Sequence, residues 1–203
     1  MGISMQTWSF LQEAMEDSPP GTRICELGNQ HIRRAVPVDF RKLDPSWRPI
    51  KSRPAKLWFE AQGWEHVSID LNGRDGALKL DLTKPLLAGL FDSFHVVTNF
   101  GTSEHVADQY ECFRNIHRLC RVGGRMIHAV PLFGHWLNHS PFGFDYTMDF
   151  FFTLAEANGY TVLCNAILPY PGKRRKSLVT AVLRRRKDVE FENRANFEKR
   201  CTL

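Results

Sequence analysis

The chain has 203 residues, 43% of them hydrophobic, and a formal charge of +5 from 27 Lys and Arg against 22 Asp and Glu. A chain of that length and composition buries one sizeable core and is not disordered over most of its length. No apolar run nears the ~18 residues of a membrane span, and the start lacks a signal peptide, so a soluble cytoplasmic protein without a membrane role is expected. Five cysteines, odd in number and without a Cys-x-x-Cys pair, exclude a disulfide framework and a zinc knuckle.

The segment "SMQTWSFLQEAME", about residues 4–16, places Trp8, Leu11 and Met15 at helical spacing and ends in "DSPPG". "TRICELG" reads as a first buried strand. A helical stretch, "AKLWFEAQGW", leads to a second strand, "VSIDLNG" (67–73). "ALKLDLTKPL" (77–86) is a short extended piece with a proline brake, and "FHVVTNFG" (94–101) a third buried strand. In "TSEHVADQYECFRNIHRLCRVGG", Val106, Tyr110 and Phe113 mark an amphipathic helix. Ser103 is placed to cap it, Glu104 suits its N-terminal dipole, and Gly123-Gly124 supplies the stop.

"RMIHAVPL" resumes as strand and "DYTMDFFFTLAEANGY" as helix. "TVLCNAILPY" and "SLVTAVLRR", joined by the short "PGKRRK", read as an antiparallel pair. Alternating strands and helices predict a mostly parallel α/β sheet covered on both faces, with one antiparallel strand near its end, in a single domain.

Two regions fit no regular element. Residues 31–54 hold four prolines and seven Lys and Arg and read as an ordered surface excursion, a lid or a substrate wall. "FGHWLNHSPFGF" (133–144) is an aromatic, histidine-rich loop. The tail, 188–203, reads as a short helix or a frayed end. The stretch 173–187 carries eight basic residues and no acidic one, so the rest of the chain is net negative. Its two clusters can serve nucleic acid or an acidic surface, or guard the ends of an edge hairpin.

In an open α/β sheet, ligands bind outside the carboxyl ends of the strands. Four such ends carry suitable groups. Glu26-Leu27-Gly28-Asn29 has a glycine that lets a ligand approach the backbone. Asp70-Leu71-Asn72-Gly73 has a carboxylate able to accept both hydroxyls of a ribose. Asp81 stands with the Leu82 N–H beside it, and Asn99-Phe100-Gly101 ends the third strand.

On these residues the chain resembles the class I S-adenosylmethionine-dependent methyltransferase family. The likeness spans about residues 20–187, through "ICELGNQ", "VSIDLNG", "LKLDLTKP", "FHVVTNFGTSEHV" and "FRNIHRLCRVGGRMIHAVPL". It implies a Rossmann-like, doubly wound, three-layer αβα fold with a mostly parallel seven-stranded sheet whose last strand is antiparallel, and S-adenosyl-L-methionine as cofactor. By position it implies that Glu26, Gly28 and Asn29 lie by the methionine portion, Asp70 and Leu71 at the ribose, Asp81 and Leu82 at the adenine, and Asn99 and Phe100 by the methionine end. Two departures stand out. Asn29 and Gln30 replace later glycines of the first motif, and 44 residues separate Glu26 from Asp70 where a compact strand–helix–strand unit uses about 20.

Methyl transfer is an in-line displacement, so positioning dominates and a base is needed only when the acceptor must lose a proton. Base candidates are Glu104, His105, His128, His135 and His139, with His139, His135 and Glu104 foremost. Trp136, Phe142 and Phe144 can line an acceptor pocket. His135 and His139 at i, i+4 could ligate a metal together with His128 or Asp145. Gly134 and Pro141 oppose a helix there, and no metal site is assigned.

The leading expectation is a methyltransferase acting on a small or medium-sized acceptor. The alternatives are an RNA or protein methyltransferase using the basic stretch 173–187, and a non-catalytic subunit of the same fold.

Overall fold

The computed structural model describes residues 2–43, 51–132, 143–169 and 177–200. Helix α1 (Met5–Met15), capped by Ser4, leads to strand β1 (Arg23–Leu27). The excursion follows, as strand β2 (His31–Arg33), helix α2 (Phe40–Leu43) and strand β3 (Ser52–Pro54). Helix α3 (Lys56–Ala61), strands β4 (Glu65–Ile69) and β5 (Phe94–Phe100), helix α4 (Gln109–Leu119) and strand β6 (Cys120–Pro131) continue the chain. Helix α5 (Met148–Asn158), strands β7 (Tyr160–Pro169) and β8 (Ser177–Arg185), and helix α6 (Arg194–Arg200) complete it.

The main sheet runs β4-β1-β5-β6-β8-β7. Its first four strands are mutually parallel, and β8 is antiparallel to both neighbours. Side chains alternate across it, as a two-sided sheet requires. Ile24, Val96, Phe100, Ile127 and Val182 pack with residues of α1 and α3 on one face. Cys25, Leu27, Val97, Met126 and Leu183 pack with residues of α4, α5 and α6 on the other. The layers are therefore αβα.

Among the described residues the main sheet has six strands where seven are expected. The seventh place, beside β4, is held by a single parallel bridge from Ile69 to Leu78, in which Leu78 donates to the Ser68 carbonyl at 2.8 Å and Asp70 N–H to the Leu78 carbonyl at 3.0 Å. The ladder stops there for a local reason. Asp81 Oδ1 captures both the N–H and the hydroxyl of Thr83, which turns the chain, and Pro85 has no N–H to offer.

Helix α4 starts later and ends sooner than its pattern predicts. Ser103 is committed to the end of β5: Asn99 Nδ2 donates to its hydroxyl at 2.8 Å and its N–H donates to Asn99 Oδ1 at 3.1 Å. Residues Ser103–His105 make only one 3-10 turn, and Asp108 caps α4 through the Glu111 N–H at 2.9 Å. The helix stops at Leu119, and Gly123-Gly124 lie inside β6, in a bulge between the pairs Phe94↔Cys120 and Val96↔Arg125.

The excursion is an antiparallel hairpin at its base, with Ile32 buried and bridged to Ile3. It leaves and re-enters the domain at one point, where Ala55 N–H donates to the Gln30 carbonyl at 2.8 Å. Stepping from Gln30 to Ala55 leaves Glu26 and Asp70 about 20 residues apart, the compact spacing. The surplus between the two acids is the excursion.

The β7–β8 pair forms as read. Residues 173–176 lie outside the described residues. Arg185, at the far end, is buried and engaged by Asp92, Asp188 and the Cys120 carbonyl. The tail docks through Phe191 and Phe197, and Arg194 clamps Asp108 at 2.7 and 3.0 Å.

Candidate functional site

Parallel pairing brings the carboxyl ends of β4, β1 and β5 side by side, and a cavity of about 340 Å³ opens there. Its wall comes from the turn after β1 (Gly28, Asn29, Gln30), the end of β4 (Ile69, Asp70, Leu71), the segment Leu80–Thr83, and the loop after β5 (Gly101, Thr102, His105, Val106). Six of the nine residues expected at a cofactor, namely Gly28, Asn29, Asp70, Leu71, Asp81 and Leu82, border this one space.

The turn after β1 explains how one glycine suffices. Gly28 has φ +75°, a left-handed conformation, and a Cβ there would stand 2.5 Å from Thr102 Oγ1 and 2.7 Å from Gln30 Nε2. The space is taken by a hydrogen-bonded group: Gln30 Nε2 donates to Thr102 Oγ1 at 3.1 Å, and Thr102 Oγ1 donates to the Leu27 carbonyl at 2.7 Å. Side chains of Gln30 and Thr102 thus brace a turn that further glycines would leave to bare backbone. The turn also opens into β2 rather than directly into a helix.

Asp70 is held by the same turn. Asn29 N–H donates to Asp70 Oδ2 at 2.8 Å and Asn72 N–H to Oδ1 at 2.9 Å, so each carboxylate oxygen is oriented and keeps a lone pair. Asn29 also donates through Nδ2 to Asp75, and that bond is the main cause of the lowered Asp75 pKa. Asp81 is held below the usual carboxylate range by the N–H and hydroxyl of Thr83, so it stays ionised at the cavity wall.

The remaining expected residues lie behind the wall. Glu26 has a side chain only 1% exposed, bonded through Oε2 to His66 and to the Gln30 N–H. Phe100 points into the face of the sheet that carries α1 and packs on Phe10 at 6.2 Å between centroids. Asn99 is fully buried and spends its amide on Ser103 and on His128 Nδ1. Burial holds His128 neutral, its pKa brought down to about 3, between Phe113 and Phe151.

Glu104 stands on the cavity loop with its carboxyl turned from solvent. It is 0% exposed, neither oxygen has a hydrogen-bond partner, and burial pushes its pKa up to about 7. The His105 ring lies 3.8 Å away, and burial lowers the pKa of that imidazole. Glu104 itself does not border the cavity. His135 and His139, with Trp136 and Phe142, lie outside the described residues. Among the described residues no cluster of metal-ligating side chains occurs.

Thr102, Val106, Leu80 and Thr83 were not singled out from sequence. The signal for Thr102 was its place two residues past a strand end; the others follow from a fold that sends 78–83 along the cavity.

No protein-family model matches the chain, and no curated protein matches it. Solved structures do. One is an S-adenosylmethionine-dependent methyltransferase from Mesorhizobium loti, 15% identical over 88% of this chain and 98% of that one, with a TM-score of 0.60. Another is the Burkholderia thailandensis 1,6-didemethyltoxoflavin-N1-methyltransferase with its substrate and S-adenosylhomocysteine bound, 14% identical over 87% of this chain and 76% of that one, TM-score 0.60. SpnF, a cyclase, is 9% identical over 89% and 80%, with a TM-score of 0.61. Identity this low carries architecture and leaves chemistry to the site. The chain has the class I methyltransferase fold.

Proposed function

We propose that the protein is an S-adenosyl-L-methionine-dependent methyltransferase acting on a small or medium-sized acceptor. The observation that carries the reading is the meeting of Gly28, Asp70 and Asp81–Leu82 at one cavity of the sheet's carboxyl edge. Three acidic or glycine-bearing loop tips, 28, 70 and 81, converge in the order in which a nucleoside with an amino-acid tail would need them.

In this reading Asp70 accepts the ribose hydroxyls, Asp81 and the Leu82 N–H take the adenine, and Gly28 and Asn29 adjoin the methionine portion. Glu26, Asn99 and Phe100 act from behind the wall, by fixing the loops. The cofactor supplies an electrophilic methyl on sulfur, and the residues of this chain orient it and keep water away. Glu104, whose carboxyl lies behind the cavity wall, is the base candidate of this reading among the described residues, and His135 and His139 are further base candidates on sequence grounds. The nucleic-acid reading of 173–187 is weakened by Arg185, which is buried and already engaged by Asp92 and the Cys120 carbonyl.

Calorimetric titration with S-adenosylmethionine and S-adenosylhomocysteine tests the reading. Saturable binding of both is expected, and binding of neither would remove it.

A further inference from the structure

We infer that His66 is a positioning residue for the cofactor site: it aims the Glu26 carboxylate at the Gln30 N–H and so latches the turn that would hold the methionine portion of the ligand. The inference rests on the cofactor reading above and adds a residue that lies outside the cavity wall.

The latch is a chain of contacts across three elements. His66 Nε2 stands 3.3 Å from Glu26 Oε2, and both side chains are 1% exposed. The Gln30 N–H donates to that same oxygen, also at 3.3 Å. One carboxylate oxygen therefore serves two donors, one on the edge strand β4 and one in the turn, and turning it away from either loses both. Gln30 is the hub beyond it. Its Nε2 braces Thr102, and its carbonyl receives the Ala55 N–H that closes the excursion.

The His66 ring is itself fixed, stacked on Phe59 of α3 at 5.1 Å and 14°. That contact sets the plane in which Nε2 meets the carboxylate. Ordinary core packing would be served as well by an apolar side chain against Phe59. A buried imidazole facing a buried carboxyl instead carries a desolvation cost, which is offset only if the pair bonds and shares charge.

Protonation links the latch to pH. Burial raises the Glu26 pKa, and the bond and charge of His66 lower it. The groups facing Glu26 are His66 from β4 and, at longer range, His31 from β2; on its own strand, burial keeps the Cys25 thiol neutral. Its register partners Ser68 and Thr98 carry no charge. An ionised Glu26 holds the Gln30 N–H with a charge-assisted bond, and a protonated one loosens it. Removing His66 leaves Glu26 to protonate at higher pH.

The test is the affinity for S-adenosylhomocysteine, by calorimetry from pH 5 to 8, of wild type, His66→Leu and Glu26→Gln. Wild type should lose affinity toward acid pH. In His66→Leu the midpoint of that loss should move up, giving about tenfold weaker binding at the pH where wild type still binds fully. Glu26→Gln should bind more weakly at pH 8 and lack the acid-side loss. A uniform weakening of His66→Leu at every pH, or none, overturns the inference, since packing alone moves no midpoint. If His66→Leu does not fold, His66→Gln carries the test: it keeps a donor without a charge, so a midpoint above that of wild type supports the latch and an unmoved one overturns it. Failure of wild type to bind at all sinks the cofactor reading itself, a result distinct from these.

Discussion

Gln30 and Thr102, 72 residues apart in sequence, meet at 3.1 Å over Gly28 and close the space that a side chain at 28 would need. The bond joins the end of β1 to the loop after β5, and it makes the turn intolerant of any added carbon.

Gly28→Ala is therefore expected to destabilise the fold by about 2 kcal/mol, from the left-handed φ and the displaced Gln30–Thr102 pair together. It should also weaken S-adenosylhomocysteine binding. Denaturant unfolding and calorimetry read the two effects, and a variant as stable and as tight as wild type would contradict the steric account.

Asp70→Ala should lower S-adenosylmethionine affinity at least about tenfold, since a ligand hydroxyl would lose a charged acceptor. The side chain is partly exposed and accepts from the N–H groups of Asn29 and Asn72 at the rim of the sheet, outside the core, so circular dichroism should be unchanged. Unchanged affinity would remove the ribose assignment.

Glu104 makes the stability depend on pH. Its folded pKa, about 7, is above the ordinary carboxyl value of 4.5, so the native state holds the proton more tightly than the unfolded chain. Its contribution is fully present below pH ~4.5 and is lost as pH rises through ~7. Glu104→Gln should then be more stable than wild type at pH 8, by up to about 3 kcal/mol, with the gap closing near pH 4.5. Urea unfolding at the two pH values checks this, and a pH-independent gap would argue against the shift.

Phe113 lies at the centre of the core under α4, with Phe150 at 5.0 Å, Tyr146 at 6.0 Å and Phe197 at 6.2 Å between ring centroids. Phe113→Ala should cost about 3–5 kcal/mol, measured by denaturant unfolding, and loosen the docked tail with it.

The strands of the main sheet were legible because each holds a short apolar run bounded by glycine or charge, and the site acids because they stand at or just past those runs; β2 and β3, three residues each inside the proline-rich stretch, were not. Periodicity placed Val106, Tyr110 and Phe113 together, but it could not show that Ser103 is bonded to Asn99 and unavailable as a cap. Likewise "LKLDL" alternates as a strand should. What ends its pairing after Leu78 is the turn that Asp81 makes with Thr83, a side-chain choice that no alternation reveals. The inward placement of Glu26 and Asn99 follows from which face of the sheet each occupies and from partners, His66 and His128, distant in sequence.

The single doorway between Gln30 and Ala55 has a consequence for how this protein can vary. Ile32 roots the hairpin in the core, while Arg34 N–H bonds the Lys51 carbonyl at 2.9 Å and seals its stem. Just beyond that seal Val36 and Phe40 are buried in the core beside α1 and α3, so the described start of the excursion is part of the domain's packing. The long insertion between Glu26 and Asp70 thus adds a wing to the hydrophobic core and leaves the compact spacing of the two acids intact, so substitutions at Ile32, Val36 or Phe40 act through stability.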